Sequence, residues 1–533
     1  MRKTLLIGFL FFTILCFGQI ELEHTYNAGF ITRIKLEYSG EKYYLFDNAT
    51  NELVFFNADH SLWKTIVLDA PPAWPPPSTF VFHVSEAEIN PDTNLEIIYS
   101  YYNGLNNSFE SKVVSEDGTV LLVIPDSSNI TLSKIEGQAT KLISKNTNFD
   151  PISKVYAIPE FTLEHIYTNG NIKRIQLETF GEKYYLLNTI ANTVEVYNQD
   201  HSLWKTINAP KPSGAFYGYR GISFISENQI NSDNLLELSY SYYIDNSTSS
   251  SYTSKIINEN NVEVLTVNDA NSIEISSIEG LEDKVIAGSF DSAFSKVYGL
   301  PTLNLEHTYG SPVSRIKLEN SGEKYCMIDA QLNNSFQIYS SDHSLWKTIF
   351  LPVVDELFSV ESLNHISENK INADNLLEVS YTTKKTSLSG YVYESRVINE
   401  NGLNLLTVAG SNGILVSKLD GLPNKLFGFM TDGIELISSQ VAVYSLGALG
   451  IDSFVDKDEV LIAPNPTNSI INIQSKFSIT DAILYNSLGV KVKEFSDFDA
   501  TKMNVEIFPA GIYLLELLDS NNHKSTHKVI ISH

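Results

Sequence analysis

The chain has 533 residues, of which 43% are hydrophobic and 19% charged, with a formal net charge of −26 and a pI of about 4.8. This length and composition indicate a globular protein with several domains. The strong negative charge repels nucleic acid and anionic lipid surfaces, so the sequence predicts neither as a partner.

The N-terminus has the pattern of a secretory signal peptide. Arg2 and Lys3 precede an apolar run from Thr4 to Phe17 that is too short to span a membrane comfortably. We therefore predict a signal peptide at residues 1–18. No later segment has the continuous apolar length that a membrane-spanning helix needs, so we predict no such helix in the mature protein.

The segment DHSLWKTI occurs three times in the chain, at intervals of about 141 residues. The sequence on both sides of it also matches from copy to copy, as in the segments LEH and GEKY upstream. Self-similarity at a fixed period is the signature of a repeat architecture, which we assign to residues 19–446. The three copies span about 21–160, 161–302 and 303–446.

Each copy divides into three units of about 47 residues with four short strands, the size of a β-propeller blade. The strands are alternating runs rich in β-branched and aromatic residues, separated by Gly, Asn, Asp and Ser, and no segment keeps a helical period. The sequence therefore predicts an all-β fold. It consists of a β-propeller of three repeats with three blades each, nine in all, followed by a small β-sandwich.

The order of the strands predicts how the ring closes. The strand at 21–26 precedes the first complete blade, while the last blade, which ends at 440–446, has no fourth strand. We predict that the N-terminal strand completes the last blade and leaves few exposed sheet edges. Two alternatives stay open: a ring with fewer blades, and three separate sandwich-like modules in a row.

In this scheme, DHSLWK forms the turn between the third and fourth strands of the first blade of each copy. An Asp side chain can hydrogen-bond the backbone two residues on, which suits a tight turn. The tryptophans that follow the turn are predicted to pack between blades as large apolar side chains. They are Trp63, Trp204 and Trp346.

The repeated pattern Asn-x-Asp-x-x-x-Glu is the best candidate for a metal site. Oxygen ligands at alternate positions, followed by a Glu, suit calcium, but the loop lacks the glycine and the further aspartate of a tight, anionic calcium loop. A polar turn that makes its own backbone hydrogen bonds is the alternative, and no other cofactor is predicted. The residues are Asn90, Asp92 and Glu96; Asn231, Asp233 and Glu237; and Asn372, Asp374 and Glu378.

The loops of the three copies fall into two classes. Turns between first and second strands keep their pattern, whereas turns between second and third strands and the connections after KTI diverge. Both divergent classes open on one face of a propeller, which we call the variable face, and the opposite face is the uniform face. Aromatic residues in variable loops are typical of a binding surface. The candidate ligand-binding residues are Trp74, Phe216, Tyr217, Tyr219 and Phe358.

From about residue 451 the sequence has no counterpart in the repeats, and its short strands alternate with turns as in a β-sandwich. The ordered motifs APNPTN, LYNSLGVKV, PAGIYLLEL and HKVIIS resemble the type A sorting domain of type IX secretion. Ala463 departs from that family, which commonly has an aromatic residue there. We assign 447–457 to a linker and 458–533 to this domain. The sorting-motif residues are Pro464, Asn465, Pro466, Gly489, Gly511 and Tyr513.

The resemblance implies passage across the outer membrane of a Gram-negative cell, with the type IX machinery as partner and release or surface attachment as the outcome. The repeats are similar to uncharacterised β-propeller-like regions of exported proteins. No catalytic motif appears in the sequence. We therefore expect a non-enzymatic protein that binds a saccharide or another surface protein through the variable face. The alternative is a secreted glycan hydrolase or lyase whose carboxylates converge in the ring.

Overall fold

The computed structural model describes most of the repeats and of the C-terminal region, and every regular element in it is a β-strand. The predicted signal peptide and the linker at 447–457 lie outside the described residues. None of the described elements is a helix with the length and apolar character needed to cross a membrane. The described residues are 20–28, 30–69, 79–104, 108–146, 151–245, 250–289, 294–328, 334–353, 357–372, 376–387, 390–431, 440–446, 460–475, 479–486, 491–495, 502–519 and 524–532.

Each of the three copies contributes twelve strands. Those of the first copy are β1 (Ile20–Tyr26), β2 (Thr32–Leu36), β3 (Gly40–Asp47), β4 (Glu52–Asn57), β5 (Leu62–Val67), β6 (Thr79–Ser85), β7 (Glu96–Asn103), β8 (Ser108–Ser115), β9 (Val120–Pro125), β10 (Asn129–Ser133), β11 (Lys141–Lys145) and β12 (Ser153–Ala157).

The second copy repeats this order. Its strands are β13 (Thr162–Tyr167), β14 (Lys173–Leu177), β15 (Gly181–Asn188), β16 (Thr193–Asn198), β17 (Leu203–Asn208), β18 (Phe216–Ser226), β19 (Glu237–Asp245), β20 (Ser250–Asn258), β21 (Glu263–Asn268), β22 (Ser272–Ser276), β23 (Lys284–Ser289) and β24 (Phe294–Gly299).

The third copy completes the repeats. Its strands are β25 (Asn304–Tyr309), β26 (Ser314–Leu318), β27 (Gly322–Ile328), β28 (Ser335–Ser340), β29 (Leu345–Phe350), β30 (Ser359–Ser367), β31 (Glu378–Ser387), β32 (Gly390–Asn399), β33 (Asn404–Ala409), β34 (Ser411–Ser417), β35 (Lys425–Met430) and β36 (Gln440–Leu446).

These strands form nine four-stranded sheets within the described part of the chain, as predicted. We number the sheets as blades. Blades 1 to 8 are β2–β5, β6–β9, β10–β13, β14–β17, β18–β21, β22–β25, β26–β29 and β30–β33, and blade 9 joins β34, β35 and β36 to β1. The strand at the N-terminus therefore closes the last blade, which confirms the predicted closure and excludes separate modules.

Side chains support this closure. Gln440 Nε2 donates to Asn27 Oδ1 at 2.9 Å, and Lys425 on β35 forms an ion pair with Glu23 on β1. Blades 9 and 1 share a hydrophobic cluster that contains Tyr26 and Phe427. Backbone pairing of β1 thus completes blade 9, and side-chain packing joins blade 9 to blade 1.

Each blade packs against the next over apolar side chains. Buried clusters span every neighbouring pair from blade 1 to blade 8. Between blades 8 and 9, β34 packs against β31 and β32. First strands of neighbouring blades contact each other, as in β6 with β10 and β18 with β22, so the first strand of a blade is the innermost one.

The fourth strand of a blade is consequently an outer edge. In the eight blades whose register is described at this position, a β-bulge interrupts the pairing between the third and fourth strands. A bulge twists the edge and disfavours pairing with another chain.

The C-terminal region forms two further sheets, β37–β38–β41 and β40–β39–β42–β43, around a core of its own. Buried Ile471, Leu484, Leu515 and Val529 belong to this core. The strands are β37 (Val460–Ala463), β38 (Ile470–Ser475), β39 (Ile479–Asn486), β40 (Lys491–Phe495), β41 (Lys502–Asn504), β42 (Gly511–Asp519) and β43 (Lys524–Ile531).

Candidate functional site

The repeated DHSLWK turn lies on the uniform face, between β4 and β5 in the first copy. The Asp59 carboxylate accepts hydrogen bonds from the Ser61 amide at 3.0 Å and the Ser61 hydroxyl at 2.6 Å. As predicted, Asp59 bonds the backbone two residues on. His60, between them, adopts a left-handed backbone conformation with a φ of 65°. The same bonds recur at Asp200 and Asp342.

The histidine of this turn contacts the neighbouring blade. His60 Nδ1 lies 2.7 Å from the Tyr26 hydroxyl of β1, and its ring stacks on His24 with centroids 4.8 Å apart. Burial and then the neighbouring His24 lower the pKa of His60. The equivalent contacts join blades 3 to 4 and 6 to 7. They are Tyr167 with His201 and Tyr309 with His343.

A buried arginine makes a second link at the same boundaries. Arg174 Nε lies 2.7 Å from Glu182 Oε1 within blade 4, while its two terminal nitrogens donate to the carbonyl oxygens of Ser133 and Ala139 in blade 3. The Arg174 and Glu182 side chains are almost completely buried. The equivalent residues in the other copies are Arg33 and Arg315.

The repeated turns between first and second strands are tied to the next blade by a glutamate. Glu86, which follows β6, accepts hydrogen bonds from the amides of Tyr38 and Ser39 at 2.7 and 2.9 Å. Desolvation would raise the pKa of Glu86, but hydrogen bonds from Ser39 and Tyr38 outweigh it, so the pKa is lowered. Glu368 repeats this arrangement on Asn320 and Ser321.

The tryptophans after the DHSLWK turn are half-buried. Trp63 packs against the cluster shared by blades 1 and 2, which agrees with the predicted position between blades. Its ring also has the Lys42 and Lys64 ammonium groups at 4.8 and 4.7 Å from its centroid. The indole is therefore covered by lysines as well as apolar groups, a feature that the sequence alone does not indicate. Trp204 and Trp346 have equivalent lysine neighbours.

The most extended hairpins on the variable face belong to blades 2, 5 and 8, which are the middle blades of the three copies. The second and third strands have nine residues each in blade 5 and ten in blade 8, against five in blade 3. Both hairpins begin in register at the uniform-face end, where Glu237 faces Asn258 and Glu378 faces Asn399. The additional length therefore lies at the variable face.

Aromatic side chains gather on these hairpins. In blade 5, Phe216 is 57% exposed and packs on Tyr243 with ring centroids 5.6 Å apart, and Tyr243 lies 5.5 Å from Tyr252. In blade 2, the Tyr102 and Phe109 rings are 5.3 Å apart in an edge-to-face arrangement. Because opposite residues on a hairpin project to the same side, strand register brings these rings together.

Blade 8 carries a different arrangement at the same place. Tyr391 is 41% exposed, and the Lys384 ammonium lies 4.3 Å from its ring centroid. Lys385 lies 5.3 Å from the ring centroid of Phe358. We call the set in blades 2, 5 and 8 the aromatic hairpins. It consists of Tyr102, Phe109, Phe216, Tyr243, Tyr252, Phe358 and Tyr391.

The predicted ligand-binding residues are thus only partly brought together. Phe216 and Phe358 belong to the aromatic hairpins, in different blades. Tyr217 is half-buried, and its hydroxyl donates to the Ala209 carbonyl at 2.6 Å, so it contributes to loop packing. Trp74 and the side chain of Tyr219 lie outside the described residues.

Two cavities flank β22, the innermost strand of blade 6. One, of about 520 Å³, is lined by Lys173, Phe224, Glu274 and neighbouring residues of the inner strands. The other, of about 490 Å³, is lined mainly by Ser and Asn side chains and shares Glu274. Glu274 is the acidic residue that the two linings share among the described residues.

The Asn-x-Asp-x-x-x-Glu pattern forms the polar turn that leads into the second strand of the middle blade. In the first copy, Asp92 Oδ1 accepts from the Asn94 amide at 2.8 Å and Asp92 Oδ2 accepts from Asn90 Nδ2 at 2.7 Å. In the second copy, Asn231 Nδ2 donates to Glu237 Oε1 at 3.2 Å. The loop therefore makes the backbone and side-chain hydrogen bonds of the predicted polar turn.

The calcium assignment stays a prediction. Within the ranges that the structure describes, no group of three or more His, Cys, Asp or Glu side chains is arranged to hold a metal ion. Asp374 lies outside those ranges, and Asn372 and Glu378 of the same copy are buried.

The sorting motifs meet at one end of the C-terminal sheets. Asn465 Nδ2 donates to the Lys528 carbonyl at 2.7 Å and its Oδ1 accepts from the Ile530 amide at 2.8 Å, so the first motif is fixed to the last strand. Tyr513 is buried and donates to the Pro509 carbonyl at 2.9 Å. Gly511 begins β42, and Gly489 lies outside the described residues.

Comparisons with known proteins bear on the C-terminal region first. Residues 461–532 match the family model described as a secretion system C-terminal sorting domain. No curated protein matches the chain. Among solved structures, BamB from Moraxella catarrhalis is similar at 8% identity with a TM-score of 0.36, covering 69% of this chain and 98% of BamB.

The Dos1 propeller is similar at 9% identity with a TM-score of 0.37, covering 80% of this chain and 96% of that structure. At such scores neither likeness adds to the fold, which rests on the strand pairing described above. The match over 461–532 agrees with the motifs in order and with their packing. The C-terminal region is therefore a sorting domain of type IX secretion, and the protein is exported to the cell surface or secreted.

Proposed function

We propose that this exported protein is a non-enzymatic binding protein whose variable face recognises a saccharide. The observation that carries the proposal is the row of aromatic rings on the middle-blade hairpins. Two of these rings are exposed, that of Phe216 at 57% and that of Tyr391 at 41%. Exposed aromatic side chains provide large, rigid contact areas at low conformational cost and commonly dominate binding energy.

The contrast between the faces supports this proposal. On the uniform face, the Asp, Arg and Glu side chains of the repeated turns are engaged in hydrogen bonds within or between blades. On the variable face, the three middle blades carry different aromatic and lysine combinations. Divergent loops on a rigid scaffold are the usual location of binding residues.

The route of export completes the proposal. The apolar N-terminal run, preceded by Arg2 and Lys3, directs the chain to the periplasm, and the C-terminal sorting domain then delivers it to the type IX machinery. The array of repeats is the cargo. A surface protein is the other class of partner that an aromatic surface of this kind suits.

The test is a glycan array probed with the full chain and with the double variant Phe216→Ala/Tyr391→Ala. We expect the wild type to bind a defined class of saccharide and the double variant to lose at least tenfold in affinity. Tyr38→Ala is the matched control, because Tyr38 is an exposed aromatic residue, 61% accessible, on the uniform face. No saccharide binding by the wild type, or equal losses in both variants, would overturn the proposal.

A further inference from the structure

The three middle blades each bury a glutamate at the start of the second strand. Glu96 and Glu237, like Glu378, are 0% exposed. Neither carboxylate oxygen of Glu96 has a hydrogen-bond donor among the described residues, and Glu237 Oε2 likewise has none there. A buried carboxylate without a partner is costly, so this repeated placement requires a compensating group.

A buried serine faces each of these glutamates across the sheet. Ser85 is directly opposite Glu96 in the pairing of β6 with β7, and Ser226 is opposite Glu237 in the pairing of β18 with β19. Both serines are 2% exposed, and within the described ranges their hydroxyl oxygens have no hydrogen-bond partner. The unsatisfied atoms are thus oxygens from two facing residues, and the arrangement occurs in two copies.

The preceding turn adds further oxygens. Asp92 contacts Asn90 in the turn that leads to Glu96, and Asp233 occupies the same position before Glu237. In the second copy the turn contacts the glutamate directly, because Asn231 Nδ2 donates to Glu237 Oε1 at 3.2 Å while Asn231 Oδ1 accepts from the Asp233 amide at 2.9 Å. The turn and the buried glutamate are therefore neighbours.

Two other carboxylates that act on these glutamates are paired with lysines. Glu116 pairs with Lys64 at 2.5 Å, and Glu259 pairs with Lys205 at 2.5 Å. At these two places, the buried oxygens without a partner among the described residues therefore belong to Glu96 and Ser85 in blade 2 and to Glu237 and Ser226 in blade 5. The available donors are carboxylate, hydroxyl and amide oxygens, which hard divalent cations prefer, whereas typical zinc and copper sites include nitrogen or sulfur ligands.

We propose that blades 2 and 5 each bind one calcium ion between the second-strand glutamate, the facing serine and the aspartate of the preceding turn. The ligands are Glu96, Ser85 and Asp92 in the first site, and Glu237, Ser226 and Asp233 in the second. Backbone carbonyls and water complete the six to eight oxygens that calcium takes. The two carboxylates of each site carry two negative charges, which one divalent ion balances, so no third acidic residue is needed.

The experiment measures calcium bound to the full chain by equilibrium dialysis at pH 7.5 after EDTA treatment. We expect at least two ions per wild-type chain and a loss of two ions in Glu96→Gln/Glu237→Gln. The control is Glu160→Gln/Glu282→Gln, which removes the same charge from exposed positions and keeps the wild-type number. Ser85→Ala/Ser226→Ala, a smaller change, should weaken the affinity about tenfold.

Thermal unfolding of the same proteins distinguishes whether calcium or a proton compensates the buried glutamates. Calcium should raise the melting temperature of the wild type and control but not that of the Glu96→Gln/Glu237→Gln variant. If the wild type binds no calcium at 5 mM, or the glutamine variant binds as many ions as the control, the proposal is wrong. In that case a higher melting temperature of the glutamine variant in EDTA would show that the glutamates hold a proton.

Discussion

The two faces of the propeller use the same strands for different purposes. On the uniform face, turns such as DHSLWK are repeated in sequence because each one hydrogen-bonds within itself and contacts the adjacent blade. On the variable face, the middle-blade hairpins differ from copy to copy, with aromatic rings packed on one another in blades 2 and 5 and beside lysines in blade 8. Repetition thus marks the residues that hold the ring, and divergence marks the surface left for recognition.

The largest expected effect comes from removing the strand that closes the ring. Deletion of residues 20–27 removes β1 from blade 9 together with the Tyr26 contact to His60. Because this exposes the apolar faces of blades 9 and 1, we expect the repeats to lose cooperative unfolding in a thermal denaturation followed by circular dichroism. Deletion of residues 1–19 alone is the control. Equal melting temperatures in both deletions would contradict closure by β1.

The next effect sharpens the role of the uniform face. Arg174→Ala leaves Glu182 buried without its partner and removes two bonds to blade 3. Breaking a buried ion pair in this way costs about 3–5 kcal/mol, which urea denaturation measures. Lys134→Ala breaks the exposed pair with Glu88 and should cost less than about 1 kcal/mol. If the two variants lose similar free energies of unfolding, the Arg174 contacts between blades 3 and 4 do not stabilise the ring as proposed.

A smaller loss is expected at the tryptophan. Trp204 packs against the cluster of blades 4 and 5 and contacts two lysine ammonium groups. Full burial would make Trp204→Ala cost about 3–5 kcal/mol, and half-burial reduces this to about 2–3 kcal/mol. Urea denaturation of Trp204→Ala and Trp204→Phe provides the measurement, with the phenylalanine variant recovering part of the loss. If Trp204→Ala leaves the free energy of unfolding unchanged, Trp204 does not contribute to the packing between blades 4 and 5.

The sequence predicted the architecture for identifiable reasons. The period of about 141 residues, the strand phase at both ends and the polar turns are local properties, so nine blades and their closure followed from them. The aromatic hairpins were found only in part, because Tyr102, Tyr243 and Tyr252 lie in strands whose alternation resembles that of core residues. Which of them meet depends on register and strand length, which no single segment encodes.

The glutamates illustrate a second kind of limit. The spacing of Asn90, Asp92 and Glu96 indicated a polar loop, but not that Glu96 would be fully buried opposite a buried serine. Burial of a carboxylate depends on the blades packed on both sides of its strand. The sequence also could not show that lysines cover both Trp63 and Trp204.

Acidification provides a graded test of the uniform face. Burial and His165 lower the pKa of His201 below its ordinary value of 6.5, while the nearby Glu164 opposes this shift and Lys141 adds to it. A lowered folded-state pKa means that stability is fully present above pH 6.5 and falls as the pH drops below it. His201→Gln should therefore flatten the decrease in unfolding free energy between pH 7 and 5.5.

The three equivalent histidines allow the size of the pH effect to be tested by comparing a single with a triple variant. The equivalent His60 and His343 also have lowered pKa values, and burial is the first cause in each. Replacing all three histidines with Gln should flatten the pH dependence about three times as much as His201→Gln alone, because the sites are far apart and additive. An unchanged slope in the triple variant would show that these histidines do not couple protonation to the blade contacts.

The smallest effect on stability is expected on the variable face. Phe216 is exposed, so Phe216→Ala should change the free energy of unfolding by no more than about 0.5 kcal/mol in urea denaturation. The same variant should weaken saccharide binding, because aromatic anchors commonly dominate interfaces. A large loss of stability in Phe216→Ala would mean that the hairpin ring is part of the fold.

Hydrogen–deuterium exchange with and without the strongest saccharide from the glycan array tests the division between the faces most directly. Bound saccharide should slow exchange in the hairpins β19–β20 and β31–β32 and leave exchange at the three DHSLWK turns unchanged. Protection at the DHSLWK turns, with the hairpins unaffected, would place recognition on the uniform face and contradict the account.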